Sequence, residues 1–504
     1  MGYSTAATRA VQQAIPNGCP AKALPPSQRL QIGLQALAQT QSVTDLADAF
    51  DVSRKFVYQQ QTRAAGALDD AFAPSTPDDR VLFHLPVTKR WLGQLVLALV
   101  LICHSSLRGV VELLRDLFDY PMSLSTVFNI VRAAVAPAQK HNHAQDLSPV
   151  KVGTHDEIFQ ARQPVLVGVD ALSSFCYLLS LEDRRDADTW GVRLLELQDR
   201  GFNPDYVVAD AGNALRAAQA EVLPNTPCRS DVFHALMAVS EVVTKLENRA
   251  YAVMTTAADL QRRVARNKQQ GRPDQSCVKL LSDATKKQAP AIALADDVAL
   301  LGRWLHFDVL ALAGPAHVDR CALYDFILAE LKARASQAPT LLGPLVTYLK
   351  GQRDDLLAFA AQLDHDFAAL ATQYAVAADV VRELFAVQAL ALHNPRRWWR
   401  DAPLRRLLGA RYHALSQALD EIRRRTVRAS SLVENFNSRL RSYFFLRRHL
   451  GNDYLALLQF FLNHRRYGRS EHPERVGKSP AELLNGQCHP HWLELLGYTR
   501  FSRN

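Results

Sequence analysis

The chain has 504 residues, of which 48% are hydrophobic and 22% charged, and its formal net charge is +9. This composition excludes a wholly disordered chain, and the length suffices for roughly two to four domains. Seven scattered cysteines without a C-x-x-C pair argue against a disulfide-rich secreted protein and against a structural zinc site.

The start of the chain has no apolar signal-peptide core, which predicts a cytoplasmic protein. The most apolar run, residues 92–103, is shorter than the ~20 residues that cross a bilayer. We therefore expect this run to form a buried helix, and we expect no membrane partner.

Residues 1–27 are rich in Ala, Pro and Gln and are predicted to form a flexible tail. Residues 28–66 predict a helix-turn-helix DNA-binding domain, in which Ser53 caps the second helix. Three polar residues would then stand at the exposed start of that helix, where a major groove is read. These candidate DNA contacts are Arg54, Lys55 and Gln59.

Residues 67–147 predict a second helical domain that resembles a helix-turn-helix unit and ends in a linker. Pro121 would end one helix, and Ser123 or Ser125 would cap the next. The polar stretch 135–149 is predicted to be the linker.

Residues 148–234 change from helical to extended periodicity. KVGTHDEIF alternates in polarity, and QPVLVGVD and SFCYLLSLED follow as two further strands of an antiparallel meander. After a helix, PDYVVADAG reads as a buried parallel strand, and PCRSDVF as a last short strand. The order β-β-β-α-β-α-β predicts an α/β core with a mixed sheet.

Residues 235–425 lose the strand signal and predict a large all-α insertion. Residues 426–504 return to the core with a helix beginning near 431, another at DYLALLQFFLNHRRY, and a tail. In the tail, SPAELL predicts a capping box with a purely structural role.

Asp156 lies in the first predicted strand, and Asp210 ends a later, parallel one. If those strands are neighbours, the two carboxylates share one crevice, and their repulsion favours a divalent cation such as Mg²⁺. Glu157 and Asp170 are rival first ligands. Glu157 points to the opposite face from Asp156, and Asp170 lies at the start of a turn.

Glu434 is the only acidic residue in ASSLVENFNSRLRSYF and has two interpretations. It completes a capping box with Ser431, or it supplies the third carboxylate of a two-metal site. The two roles compete for one carboxylate. Taken alone, this stretch favours the cap.

Positive charge is concentrated between Arg396 and Arg469, which contains 17 arginines, no lysine and five acidic residues. The local charge of +12 exceeds that of the whole chain. The planar guanidinium suits phosphate oxygens, so this segment indicates a polyanionic partner.

THDEIF, VVADAG and SSLVENFNSRLR, in this order, resemble the Asp, Asp and Glu motifs of DDE transposases, which have an RNase H-like fold. The long gap before Glu434 is similar to that of hAT and Mutator-like transposases, in which a helical insertion precedes the Glu. Asp231-Val-Phe-His234 resembles their C/D-x-x-H motif. HPERVGKSPAELL is similar to the tails of bacterial insertion-sequence transposases.

The resemblance implies a bacterial, nucleoid-associated transposase. It would use two Mg²⁺ ions, or Mn²⁺ instead, on Asp156, Asp210 and Glu434 to cut transposon ends and join the 3′-hydroxyl to target DNA. Inverted repeats and target DNA would be its partners, and joining two ends implies a homodimer or larger oligomer. A nuclease of the same fold and a domesticated, non-catalytic regulator remain alternatives.

Further candidates surround this set. His234 is either an ordinary strand-end histidine or a proton shuttle near the scissile phosphate. Arg441 shares the helix face of Glu434 and is expected to grip phosphate. The remaining DNA-binding candidates are Arg439, Trp398 and Trp399; one of the two tryptophans is expected in the core unless they stack on an unpaired base.

Overall fold

The computed structural model describes residues 21, 24–73, 82–210, 212–429, 431–446 and 451–501. The chain divides into two compact units, one up to Pro86 and one from Val87 onward. Most described residues are helical, and the strands form one five-stranded sheet. None of the described helices is both long and apolar enough to cross a membrane.

The first unit contains helices α1 (Pro26–Leu37), α2 (Val43–Ala49) and α3 (Arg54–Phe72). Ser53 caps α3 by accepting from the Phe56 amide, as predicted. Helix α1 begins inside the segment expected to be a tail, because Pro26 suits a first helical turn. The rest of that predicted tail lies largely outside the described residues. A small core joins the three helices through Ile32, Ala36, Leu46, Ala47 and Val57.

The second unit opens with helices α4 (Lys89–Leu101), α5 (Leu107–Phe118), α6 (Leu124–Ala133) and α7 (Val135–Ala144). Helix α4 is buried, as its apolar sequence predicted. Ser123 caps α6. The prediction that residues 135–149 form a linker is wrong for residues 135–144, because α7 occupies them. That helix buries Val135 and Ala138, and its Asn142 amide donates to the Ala456 carbonyl at 2.8 Å, so tertiary packing outweighs its polar composition.

The sheet has the order β3-β2-β1-β4-β5. Its strands are β1 (Val152–Gln160), β2 (Gln163–Asp170), β3 (Cys176–Leu181), β4 (Tyr206–Ala209) and β5 (Cys228–Ser230), with helices α8 (Ala187–Gln198) and α9 (Asn213–Val222) between the last three. β1, β2 and β3 form an antiparallel meander, whereas β1, β4 and β5 pair in parallel. The predicted mixed sheet and element order are confirmed.

A long helical stretch follows, as predicted, although it begins at Val232 rather than after residue 234. It packs around a single large hydrophobic cluster. Its helices are α10 (Val232–Gln269), α11 (Gln275–Trp304), α12 (His317–Arg334), α13 (Pro339–Tyr374), α14 (Ala378–Ala389), α15 (Pro395–Leu408) and α16 (Tyr412–Arg425).

The chain then returns to the sheet with α17 (Ser431–Phe445), α18 (Asn452–His464), α19 (Pro480–Asn485) and α20 (Trp492–Leu495). α17 and α18 share a hydrophobic cluster with α4 to α6 and with one face of β1 and β2. Asn463 and Gln459 of α18 bond the backbone of Cys176 on the edge strand β3. Ser479 and Glu482 form the predicted capping box of α19. The core is therefore built from segments on both sides of the helical stretch.

Candidate active site

Asp156 and Asp210 reach the same cavity because β1, which carries Asp156, is next to β4, which ends just before Asp210. β1 and β4 pair in parallel, with His155 opposite Ala209. The two aspartates are the next residue on each chain, and adjacent strands lie about 4.8 Å apart. The condition set by the sequence, that the two strands be neighbours, is met.

Glu434 reaches the same place from α17, which packs against β1. A cavity of about 520 Å³ is lined by residues from five separate segments of the chain. Among them are Asp156, Asp210, His234, Glu434 and Arg441. The fold thus gathers three acidic residues and two basic ones that are far apart in sequence.

Asp156 is the most perturbed carboxylate of the cavity. Its Oδ1 accepts from the Glu157 amide at 2.8 Å, and its Oδ2 accepts from the Asn437 side chain at 2.6 Å. Burial raises the pKa of Asp156 to about 6, and the negative charges of Glu434 and Asp210 add to the rise. A bound cation would relieve this repulsion.

His234 stands in the first turn of α10, not at a strand end as predicted. β5 stops at Ser230, because Asp231 caps α10 by accepting from the Phe233 amide at 2.7 Å. The other oxygen of Asp231 bonds His234 Nδ1 at 2.7 Å. This bond, with the charges of Asp231, Asp210 and Asp156, raises the pKa of His234 to about 9. Without bound metal, His234 is therefore a cation at neutral pH.

The contacts of Glu434 run toward the cavity. Its carboxylate oxygens lie 3.8 Å from His234 Nε2 and 4.0 Å from Arg441 Nη2. Helix α17 begins at Ser431, which makes Ser431 the first helical residue and not the predicted cap. The side chain of Ser431 lies outside the described residues. These contacts favour the cavity role of Glu434.

The carboxylates share a cavity without forming a closed chelate. Within the described ranges, no three His, Cys, Asp or Glu side chains are close enough to hold one metal ion. The donor set itself, carboxylate oxygens, suits Mg²⁺. The contacts of Glu434 with His234 and Arg441 are longer than a hydrogen bond. Rotating its side chain toward Asp156 would therefore break no hydrogen bond with either residue.

The rival first ligands are differently placed. Glu157 also lines the cavity, but its carboxylate accepts from Trp190 Nε1 at 2.9 Å and from Arg185 at 3.2 Å. Asp170 is buried and lines another cavity, where it accepts from the Ser173 amide and hydroxyl. Asp156 is therefore the best placed of the three.

The other DNA-binding candidates lie outside this cavity. Arg439 is half-buried near His104 and Tyr443. The prediction that one of the two tryptophans lies in the core is wrong, since Trp398 is 53% and Trp399 78% exposed. Both sit on α15, whose short apolar side is filled by Leu404 and Leu408.

Two supporting residues escaped the sequence analysis. Asn437 is fully buried, one turn beyond Glu434, and holds Asp156; its Oδ1 has no partner among the described residues. Arg216 bonds Asp355 of α13 at 2.6 Å and Ser230 at 2.7 Å, and its Nε lies 3.4 Å from the Asp210 carbonyl. No local pattern marks either residue, because each acts through a contact distant in sequence.

If the carboxylates of the cavity hold a divalent cation, replacing Asn437 by alanine should weaken that binding about 10- to 100-fold, because Asp156 loses the bond that orients it. The exposed Asn435 on the same helix supplies the matched control, and Asn435→Ala should have little effect. Mn²⁺ affinity and thermal melting of both variants would check this. Equal affinity of the two variants at equal stability would contradict a positioning role.

No protein-family model matches the chain, and comparison with curated proteins finds no similar sequence. The residues of the cavity and their chemistry are therefore the basis for assigning a function.

Proposed function

We propose that the protein is a DDE-type DNA transposase of a bacterial insertion sequence, with an RNase H-like catalytic core. It would cut DNA at the transposon ends and transfer the 3′-hydroxyl into target DNA. The observation that carries this proposal is the convergence of Asp156, Asp210 and Glu434 on one cavity beside a mixed sheet.

Asp156, Asp210 and Glu434 would hold two Mg²⁺ ions, with Mn²⁺ as a substitute. When bound, the ions would activate the attacking oxygen and stabilise the leaving one. Asn437 orients Asp156, and Asp231 orients His234, which leaves His234 Nε2 facing the reacting phosphate as a proton donor. Arg441 would grip a phosphate oxygen beside the carboxylates.

Double-stranded DNA would be the partner, as inverted repeats and as target, and two ends would require at least a dimer. The protein would work in the cytoplasm, on the nucleoid. Exposed Trp398 and Trp399 offer stacking surfaces for DNA. Three arginines of the basic segment pair with acidic residues outside it, so part of its +12 charge is neutralised within the protein. The pairs are Arg400 with Glu383, Arg425 with Asp366 and Arg466 with Glu482.

The first unit would be a helix-turn-helix domain that reads the ends. Arg54, Lys55 and Gln59 are exposed on α3, and the last two border an open depression with Tyr58. The double variant Arg54→Ala, Lys55→Ala should bind random duplex DNA more weakly. The slope of its log affinity against log salt concentration should be shallower by the contribution of about two phosphate contacts. Fluorescence anisotropy across a salt series measures both.

The matched control is Arg63→Ala. Arg63 is exposed on the same helix, and nine residues at about 100° each place it on the face opposite Arg54. If the control lowers the salt slope as much as the double variant, this face of α3 is not the DNA-binding surface.

The test of function uses a plasmid carrying the genomic DNA that flanks the reading frame. The purified protein with Mg²⁺ should release ends from this plasmid and join pre-cut ends to a second DNA. Cleavage without joined product would indicate the nuclease, and binding without cleavage would indicate the regulator. Inverted repeats bordered by short direct repeats in the flanking DNA would support the transposase.

A further inference from the structure

Some residues that line the cavity have no part in the carboxylate chemistry. Phe159, Arg185 and Asn213 are among them. Phe159 is 53% exposed, whereas Ile158 beside it is 5% exposed. Burying an apolar side chain is favourable, yet the fold leaves this ring exposed in the cavity that holds the three carboxylates.

The surroundings of this ring are ordered by a chain of contacts. Trp190 is fully buried and donates from Nε1 to Glu157 at 2.9 Å. The other oxygen of Glu157 accepts from Arg185 at 3.2 Å. The guanidinium carbon of Arg185 then lies 5.4 Å from the centroid of the Phe159 ring. Glu157 thus holds the exposed Arg185 side chain beside the exposed Phe159 ring.

We propose that Phe159 and Arg185 form a nucleotide subsite, in which the ring stacks on a base flanking the scissile phosphate and the guanidinium contacts the adjacent phosphate. This inference rests on the proposed function. Phe159 is three residues from Asp156 on β1, about 10 Å along the strand, which a neighbouring nucleotide can span. Their side chains leave opposite faces of the strand, yet both line this one cavity. Stacking tolerates any base, so the subsite would position the strand without reading its sequence.

The test pairs a protein variant with a DNA variant. End duplexes carry an abasic nucleotide at one position at a time on either side of the scissile phosphate. Their affinities are measured in Ca²⁺, which keeps the DNA uncut. At one position the abasic change should weaken wild-type binding about 5- to 150-fold. Phe159→Ala should weaken binding of the intact duplex by the same factor, and the two changes together should weaken it no further.

Matched controls separate stacking from general damage. Phe128 on α6 is 52% exposed, and Phe128→Ala should couple to no abasic position. Phe159→Tyr should keep wild-type affinity, which excludes a folding defect as the cause. Arg185→Ala should weaken binding more than Arg184→Ala, whose side chain is 81% exposed beside it.

If the factors by which Phe159→Ala and the abasic change weaken binding multiply at every position, the proposed subsite is wrong. Wild-type affinity of Phe159→Ala, or occupancy of the ring by a protein segment in place of DNA, would also contradict it. If wild-type protein neither binds nor cuts the ends, the proposed function fails as well. If wild type cuts them and only the coupling is absent, the subsite alone fails.

Discussion

Replacing Glu434 by glutamine is expected to reduce Mg²⁺-dependent DNA cleavage by about 1,000-fold or more. The amide keeps the size and hydrogen bonding of the side chain but removes a negative charge that would hold a metal ion, an interaction worth several kcal/mol in the transition state. Helix α17 should remain folded, because glutamine and glutamate have similar helix propensities. Single-turnover cleavage of the flanking-DNA plasmid measures the rate, and circular dichroism checks the helix.

Glu482→Gln supplies a contrast for this result. Glu482 closes the capping box of α19 and pairs with Arg466 at 2.6 Å. Neither residue lines the cavity that holds Glu434. Its loss should lower stability and leave the rate per folded molecule unchanged. Cleavage at the wild-type rate in Glu434→Gln would exclude Glu434 from the metal site.

Replacing Asp156 by asparagine is expected to abolish cleavage and, in EDTA, to stabilise the protein at pH 7 to 8. The pKa of Asp156 is about 6 in the folded protein and 3.8 ordinarily. Its contribution to stability is therefore fully present below pH 3.8 and lost as the pH rises through 6. Asparagine carries no charge and avoids this loss, which amounts to about 1–3 kcal/mol.

Thermal melting from pH 4 to pH 8 measures the effect. The advantage of Asp156→Asn over wild type should shrink as the pH falls from 6 toward 4, and saturating Mg²⁺ should remove it at pH 7.5 by stabilising only the wild type. The exposed Asp183 serves as control, and Asp183→Asn should melt as wild type does at every pH. A pH-independent difference between Asp156→Asn and wild type would contradict the charge repulsion.

Much of the core was predictable because its strands have strong local patterns. The alternation in residues 152–158 predicts β1, and the short apolar run before Asp210 predicts a buried parallel strand. The pairing of β1 with β4 was only a condition in the sequence analysis, because two strands and a helix separate them along the chain; the structure meets it. These two strands bring Asp156 and Asp210 together.

The rest depends on contacts that local pattern does not encode. The sequence of α7 is polar enough to read as a linker, and its fixed position comes from α18. PCRSDVF predicts a strand that runs to Phe233, but the cap formed by Asp231 ends β5 at Ser230 and places His234 on a helix. Asn437 and Arg216 have roles only once α17 and α13 are packed against the core. Trp398 and Trp399 are exposed because Leu404 and Leu408 already fill the apolar side of α15.

The most direct test of the central hypothesis is Mn²⁺ binding, followed by electron paramagnetic resonance, in the wild type and in Asp156→Asn, Asp210→Asn and Glu434→Gln. We expect the wild type to bind two ions and each variant to lose at least one of them. Glu157→Gln and Asp170→Asn should bind as the wild type does. Unchanged stoichiometry and affinity in all three carboxylate variants would contradict a shared metal site.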